Sequence, residues 1–136
     1  MLPNDVNAGY ILAKELYTQA IKNNPTLIDK KVKMVAIEAN DIDGASILRR
    51  EGLMKFVNEQ PNIKLVQIVK AGWDREIARN VVDRVFKRHG KIDAIWSASD
   101  DMAIGGKEAA INHGAITGKT IFIGGVDWSK QGLEEI

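Results

Sequence analysis

Cysteine is absent from the 136 residues, so neither a disulfide framework nor a thiolate metal site contributes to the fold. That absence leaves the redox compartment open. A chain of this size buries roughly two-thirds of the surface that its unfolded form exposes, enough for one core to stand without such staples. No run of about 18 apolar residues occurs, which excludes a membrane-spanning helix. Neither sign of charge dominates: 19 Lys and Arg face 18 Asp and Glu, a net charge of +1. The concentrated basic surface that grips nucleic-acid phosphates is therefore missing, and no nucleic-acid partner is expected. Two basic clusters, Lys30, Lys31 and Lys33 and then Lys87, Arg88 and Lys91, fall at element boundaries and read as solvated surface. The two histidines, His89 and His113, stand at helix C-termini, where a cation suits the dipole. Without Cys or paired His, no transition-metal site is expected, and no cofactor. The opening Met1–Asp5 lacks the basic-then-apolar run of a secretory signal. Gln131–Ile136 reads as the start of a helix that stops uncapped, so the chain is expected to be a piece of a longer one.

What is present is a regular alternation. Runs rich in Val and Ile recur at Val32–Ile37, Ile63–Val69, Ile92–Trp96 and Thr120–Val126, roughly 30 residues apart. Between them apolar residues recur at helical spacing, most clearly Ile77, Ala78, Val81, Val82, Val85 and Phe86. Further helical stretches run over Ala8–Ile21, Ser46–Asn58 and Met102–Asn112. Pro25 and Pro61 follow helix ends, Gly90 and Gly114 occupy C-terminal cap positions, and Asp74 and Asp100 stand where N-caps belong. The strands are continuous apolar runs rather than alternating ones, as in a parallel sheet covered on both faces. The order predicts an α/β fold: a doubly wound parallel sheet of at least four strands in a three-layer αβα sandwich, forming a single lobe over residues 1–136.

Ligands of such sheets bind beyond the carboxyl ends of the strands, where the strand order reverses. The loops at that edge are Glu38–Gly44, Ala71–Asp74, Ser97–Asp101 and Gly124–Ser129. They carry carboxylates, hydroxyls and tryptophan, whereas the opposite edge reads as plain turns. Acceptors beside flat aromatic rings suit a polyhydroxylated molecule, because carboxylates take hydroxyl protons and an indole packs on a sugar ring. Trp73 and Trp128 each fall just past a strand beside an Asp; Trp96 reads as core. Gly114–Thr120 imitates a phosphate loop but has one residue too few between its glycines and leads from helix to strand, the reverse of what that loop requires. Gly105 and Gly106 lie inside a helix, where close packing explains them.

The segment Ala94-Ile95-Trp96-Ser97-Ala98-Ser99-Asp100-Asp101-Met102-Ala103-Ile104-Gly105 resembles the strand-loop-helix signature of type 1 periplasmic binding proteins. Ile121–Asp127 is similar to the family's next strand, ending in Gly-x-Asp. Asp5-Val6-Asn7-Ala8-Gly9 resembles the crossing from the first lobe into the second, and Arg49-Arg50-Glu51-Gly52-Leu53 its Arg-x-x-Gly turn. The resemblance spans nearly the whole chain in order. It implies the second lobe of a two-lobe solute-binding component of an ABC sugar-transport system, periplasmic in the full-length protein and non-catalytic. By the same resemblance Trp73 stacks on the sugar, while Ser99 and Asp127 hydrogen-bond its hydroxyls. Asp43, Asp100 and Trp128 are further candidate contacts. Placed without gaps, Ile47 falls where several members carry a ligand-holding Arg. The implied partners are a sugar or related polyol and a membrane ABC permease, with self-association through the exposed interlobe face as an additional expectation. The effector-binding core of a lac-repressor-type regulator or a sensor domain is an alternative. So is a small enzyme that uses Asp100, Asp101 and Asp127 to hold magnesium, which requires those carboxylates to converge within about 4 to 6 Å.

Overall fold

The strand Val32–Glu38 is buried at every residue except Lys33, as a strand covered on both faces must be. It is β1 of a computed structural model that describes residues 4–126. Asp127, Trp128 and Gln131–Ile136 lie outside the described residues. Before β1 come the helix α1 (Asn4–Asn23) and the single turn α2 (Leu27–Lys30). After it follow α3 (Gly44–Glu59), β2 (Ile63–Lys70), α4 (Arg75–His89), β3 (Ala94–Ser97), α5 (Asp100–Asn112) and β4 (Phe122–Gly125). All four strands are parallel, in the order β2-β1-β3-β4. Helices α1 and α3 pack together on one face, α4 and α5 on the other. The expected doubly wound α/β sandwich is the observed one.

The strand order reverses at β1, because the chain moves outward to β2 and then returns to place β3 on the other side of β1. The crevice between the carboxyl ends of β1 and β3 is therefore the switch point. Register puts Ile37 beside both Val69 and Ser97 there, and Ser97 beside Gly125. The loops after the strands thus start from one level.

Strand and cap boundaries depart from the sequence pattern for local reasons. Strand β3 begins two residues after Ile92, because Asp93 turns its carboxylate onto the Lys33 N–H at 2.9 Å while its own N–H donates to the Lys33 carbonyl. The turn α2 escapes periodicity, since four residues after a proline carry none. Asp74 caps α4 as expected, accepting from the Ile77 N–H at 2.9 Å. Asp100 does not cap α5. Ser99 does, in extended conformation, with its Oγ accepting from the Met102 N–H at 3.2 Å. Ser97 explains the one-residue offset: its Oγ donates to the Ser99 carbonyl at 2.8 Å and holds that residue outside the helix. Gly90 and Gly114 both take positive φ after their helices, a backbone region that glycine enters without a Cβ penalty.

Two glycines let α1 and α3 touch backbone to backbone. A Cβ on Gly9 would lie 2.0 Å from the Arg49 carbonyl oxygen, and one on Gly52 would lie 1.9 Å from that of Val6. The crossing is tied to the sheet by fully buried Trp96, whose indole N–H donates to the Gly9 carbonyl at 3.0 Å. Gly105 does the same between α5 and α4, where a Cβ would meet the Arg75 carbonyl at 2.2 Å. Gly52→Ala is expected to cost at least about 2 kcal/mol in urea unfolding, since rigid backbone has to move aside. Gly44→Ala, with nothing within 4 Å of the added carbon, is expected to be neutral or to stabilise by about 0.5 kcal/mol.

Candidate functional site

The loop leaving β1 is held by its own side chains. Ser46, fully buried at the start of α3, accepts from the Ala39 N–H at 2.9 Å and the Asn40 N–H at 3.3 Å. Asn40 in turn accepts from the N–H groups of Ile42 and Asp43 at 2.9 and 2.6 Å. Asp43 then caps α3, with Oδ1 accepting from the Ala45 N–H at 3.0 Å. Its other oxygen, Oδ2, accepts from the indole N–H of Trp73 at 3.1 Å.

Trp73 arrives from the loop after β2 in a left-handed backbone conformation, φ 64°, directly after Gly72 at φ 56°. For a large side chain that conformation costs about 1–2 kcal/mol and persists only where the surroundings impose it. Here they do. Ala71 and Gly72 extend the ladder to β1 by donating to the Glu38 and Ala39 carbonyls, both at 2.9 Å. Asp43 holds the indole edge, and the Arg49 guanidinium lies 5.6 Å from the ring centroid, within range of a cation–π contact.

Arg49 itself is nearly buried, at 9% exposure. Its Nε donates to Asp5 Oδ1 at 2.9 Å and its Nη1 to the Ala98 carbonyl at 2.7 Å. Among the described residues Nη2, a further pair of N–H donors, makes no hydrogen bond. One guanidinium thus joins the N-terminus of α1, the loops after β2 and β3, and its own helix at the switch point.

A second charged group lies beside this edge. Glu38 is buried with Arg50 Nη1 3.2 Å from its Oε2, and among the described residues that oxygen has no hydrogen bond. Asp41 lies 3.6 Å from the same guanidinium and accepts from Lys70. The hydrogen bond from Lys70 holds the Asp41 carboxyl below its ordinary value, with the nearby positive charges of Lys70 and Arg50 assisting. The same bond, followed by the Asp41 charge, raises Lys70. Ile42, at 91% exposure, projects into solvent from this loop.

The sequence candidates separate accordingly. Trp73 and Asp43 are brought into contact. Ser99 follows Ala98, the residue that anchors Arg49, and keeps a hydroxyl proton free of the cap. Asp100 opens instead onto the groove beside β4, with Gln19, Ile104 and Gly125. Asp127 and Trp128 lie outside the described residues. Trp96 is core, as expected. His113 stacks on Phe86 at 5.1 Å and meets Asp83 at 2.7 Å, away from this edge. Among the described residues no group of three or more His, Asp or Glu side chains is placed to hold a metal ion. Arg49 and Asp5 were not singled out as site residues. The guanidinium at this edge belongs to Arg49, two residues beyond Ile47. Its signal is in the pattern: Ser46, Arg49, Gly52, Leu53 and Phe56 form the buried stripe of α3, and an arginine on such a stripe needs partners.

The fold and this edge define a doubly wound α/β domain whose polar and aromatic side chains gather at the sheet's switch point. The periplasmic binding protein domain family matches residues 3–136. The chain belongs to that family. It is 35% identical over 92 residues, 68% of its length, to the D-allose-binding periplasmic protein of Escherichia coli K12, covering 29% of that protein. A periplasmic sugar-binding protein from Pseudomonas fluorescens superposes with a TM-score of 0.81 at 31% identity, over 89% of this chain and 36% of that one. An ABC transporter periplasmic solute-binding protein from Actinobacillus succinogenes 130z, solved with bound D-allose, gives 0.71 at 32% identity, over 82% of this chain and 37% of that one. The chain therefore spans about a third of the length of these relatives.

The charged pair beside the edge has a defined pH window. Asp41, lowered from 3.8, contributes stability above that value and loses it as pH falls through its lower folded value. Lys70, raised from 10.5, contributes below that value and loses it as pH rises through its higher folded value. Asp41→Asn is expected to lower the urea midpoint by a constant amount between about pH 5 and 9, a difference that fades as pH falls through the lowered folded value of Asp41.

Proposed function

We propose that this chain is the C-terminal lobe of a two-lobe solute-binding protein. The whole protein holds a sugar or related polyol between its lobes without chemical change. It works in the periplasm and hands the ligand to a membrane ABC permease. The observation that carries the reading is the convergence of Trp73, Asp43 and Arg49 at the switch point. The allose-binding relatives support the ligand class.

Each group has a distinct task. The half-buried indole of Trp73 offers an apolar plate for the C–H face of a pyranose or furanose ring. The Arg49 Nη2 donors and the Ser99 hydroxyl proton serve hydroxyl oxygens, while Asp43 retains lone pairs for hydroxyl protons. By the family resemblance Asp127 takes the acceptor role, with Trp128 and Asp100 as further contacts. The described part of the site is an open edge rather than a closed cavity, so the second lobe supplies the other contacts and excludes water by hinge closure. An isolated lobe binds sugar much more weakly for the same reason, and its uncovered face favours self-association.

The test is a titration of the full-length protein with D-allose, D-ribose and D-galactose, read by tryptophan fluorescence and melting temperature. A saturable shift with at least one sugar is expected, weakened about tenfold or more by Trp73→Ala, the scale of losing a stacked aromatic. A flat response to all three sugars overturns the proposal.

A further inference from the structure

We infer that Asp5 is a positioning residue for the ligand edge, acting through Arg49 on Trp73. The inference rests on the reading of this edge as a sugar site and adds a residue that touches no ligand. Asp5 lies in the first turn of α1, remote in sequence from the loops it serves. Its Oδ1 takes the Arg49 Nε–H at 2.9 Å, with side-chain exposures of 22% and 10%.

The geometry separates this role from simple helix packing. The α1–α3 crossing is already set by Gly9 and Gly52, whose missing side chains allow backbone contact. The ion pair borders that contact, since Arg49 lends its own backbone to it opposite Gly9 and Val6, next to Asp5, does so opposite Gly52. What sets it apart is that the guanidinium reaches on to the Ala98 carbonyl and the Trp73 ring. A guanidinium held at one atom swings about its stem. Held at Nε by Asp5 and at Nη1 by the Ala98 carbonyl, it is fixed in plane and direction. The fixed cation then lies against the indole of a residue whose own backbone is strained at φ 64°. Asp43 restrains only the nitrogen edge of that ring. Without Asp5, Arg49 keeps one anchor and loses its compensating charge while remaining buried, which favours reorientation toward water. Trp73 then loses the contact that holds its ring.

The experiment uses full-length protein labelled with 5-fluorotryptophan, with the Trp73 fluorine resonance assigned by Trp73→Phe. Trp96 serves as an internal reporter on α1, because its indole hydrogen-bonds to the Gly9 carbonyl. Asp5→Asn is expected to shift and broaden the Trp73 resonance while leaving that of Trp96 in place. Asp5→Glu is expected to bring it part of the way back. In the same variants the affinity for the sugar bound by the parent, tested with D-allose, D-ribose and D-galactose, is expected to fall about tenfold and recover in the same order. An unchanged Trp73 resonance in Asp5→Asn overturns the inference, as does equal movement of Trp73 and Trp96, which marks a general loosening of α1. The resonances are read without ligand. A parent protein that binds none of the sugars therefore counts against the sugar reading, while the Trp73 signal still decides the role of Asp5.

Discussion

A guanidinium removed from water dictates the arrangement of the edge at the carboxyl ends of the strands. Taking the Arg49 charge into a nearly buried position carries a desolvation penalty of several kcal/mol, offset only where partners are in place from several directions. Those partners come from separate parts of the chain: Asp5 on α1, the Ala98 carbonyl after β3, and the Trp73 ring after β2. Because each must be present at once, the loops cannot move independently. Trp73 accepts a strained backbone within this set, and Asp43 joins the cap of α3 to the same ring.

The rest of the fold makes that convergence reachable. Parallel strands end at one level, and the reversal of strand order at β1 opens a crevice between loops that would otherwise sit shoulder to shoulder. Glycines at the helix crossings bring α1 close enough to α3 for a short aspartate to reach Arg49. Any side chain at Gly9 or Gly52 would push the helices apart, so the electrostatic link depends on a steric absence.

In the proposed two-lobe protein this chain offers one side of the binding cleft. Among the described residues its polar side chains are mutually engaged but not saturated: Arg49 keeps the Nη2 donors, Ser99 a hydroxyl proton and Asp43 spare lone pairs. Groups ordered in advance, with capacity left over, bind a polyol at lower entropic cost than groups that must be ordered by it. The beside-lying network of Glu38, Arg50, Asp41 and Lys70 stiffens the base of the β1 loop from below.

Much of this was legible in the amino-acid order. The Val- and Ile-rich runs and helical periodicity determined the α/β class, because burial on both faces of a parallel sheet demands continuous apolar strands. The strand-end rule pointed to the edge where Trp73 and Asp43, both read from it, come into contact. The cap at Ser99 rather than Asp100 was not legible, since both residue types cap helices and the choice was made by the hydroxyl of Ser97. Nor was the pairing of Asp5 with Arg49, 44 residues apart. Composition and periodicity by themselves determined which elements form and which edge carries polar groups, because those follow from local spacing and burial. Only the tertiary structure decided that Asp5, Arg49 and Trp73 act together, because their contact requires the helix crossing and the strand order to exist first.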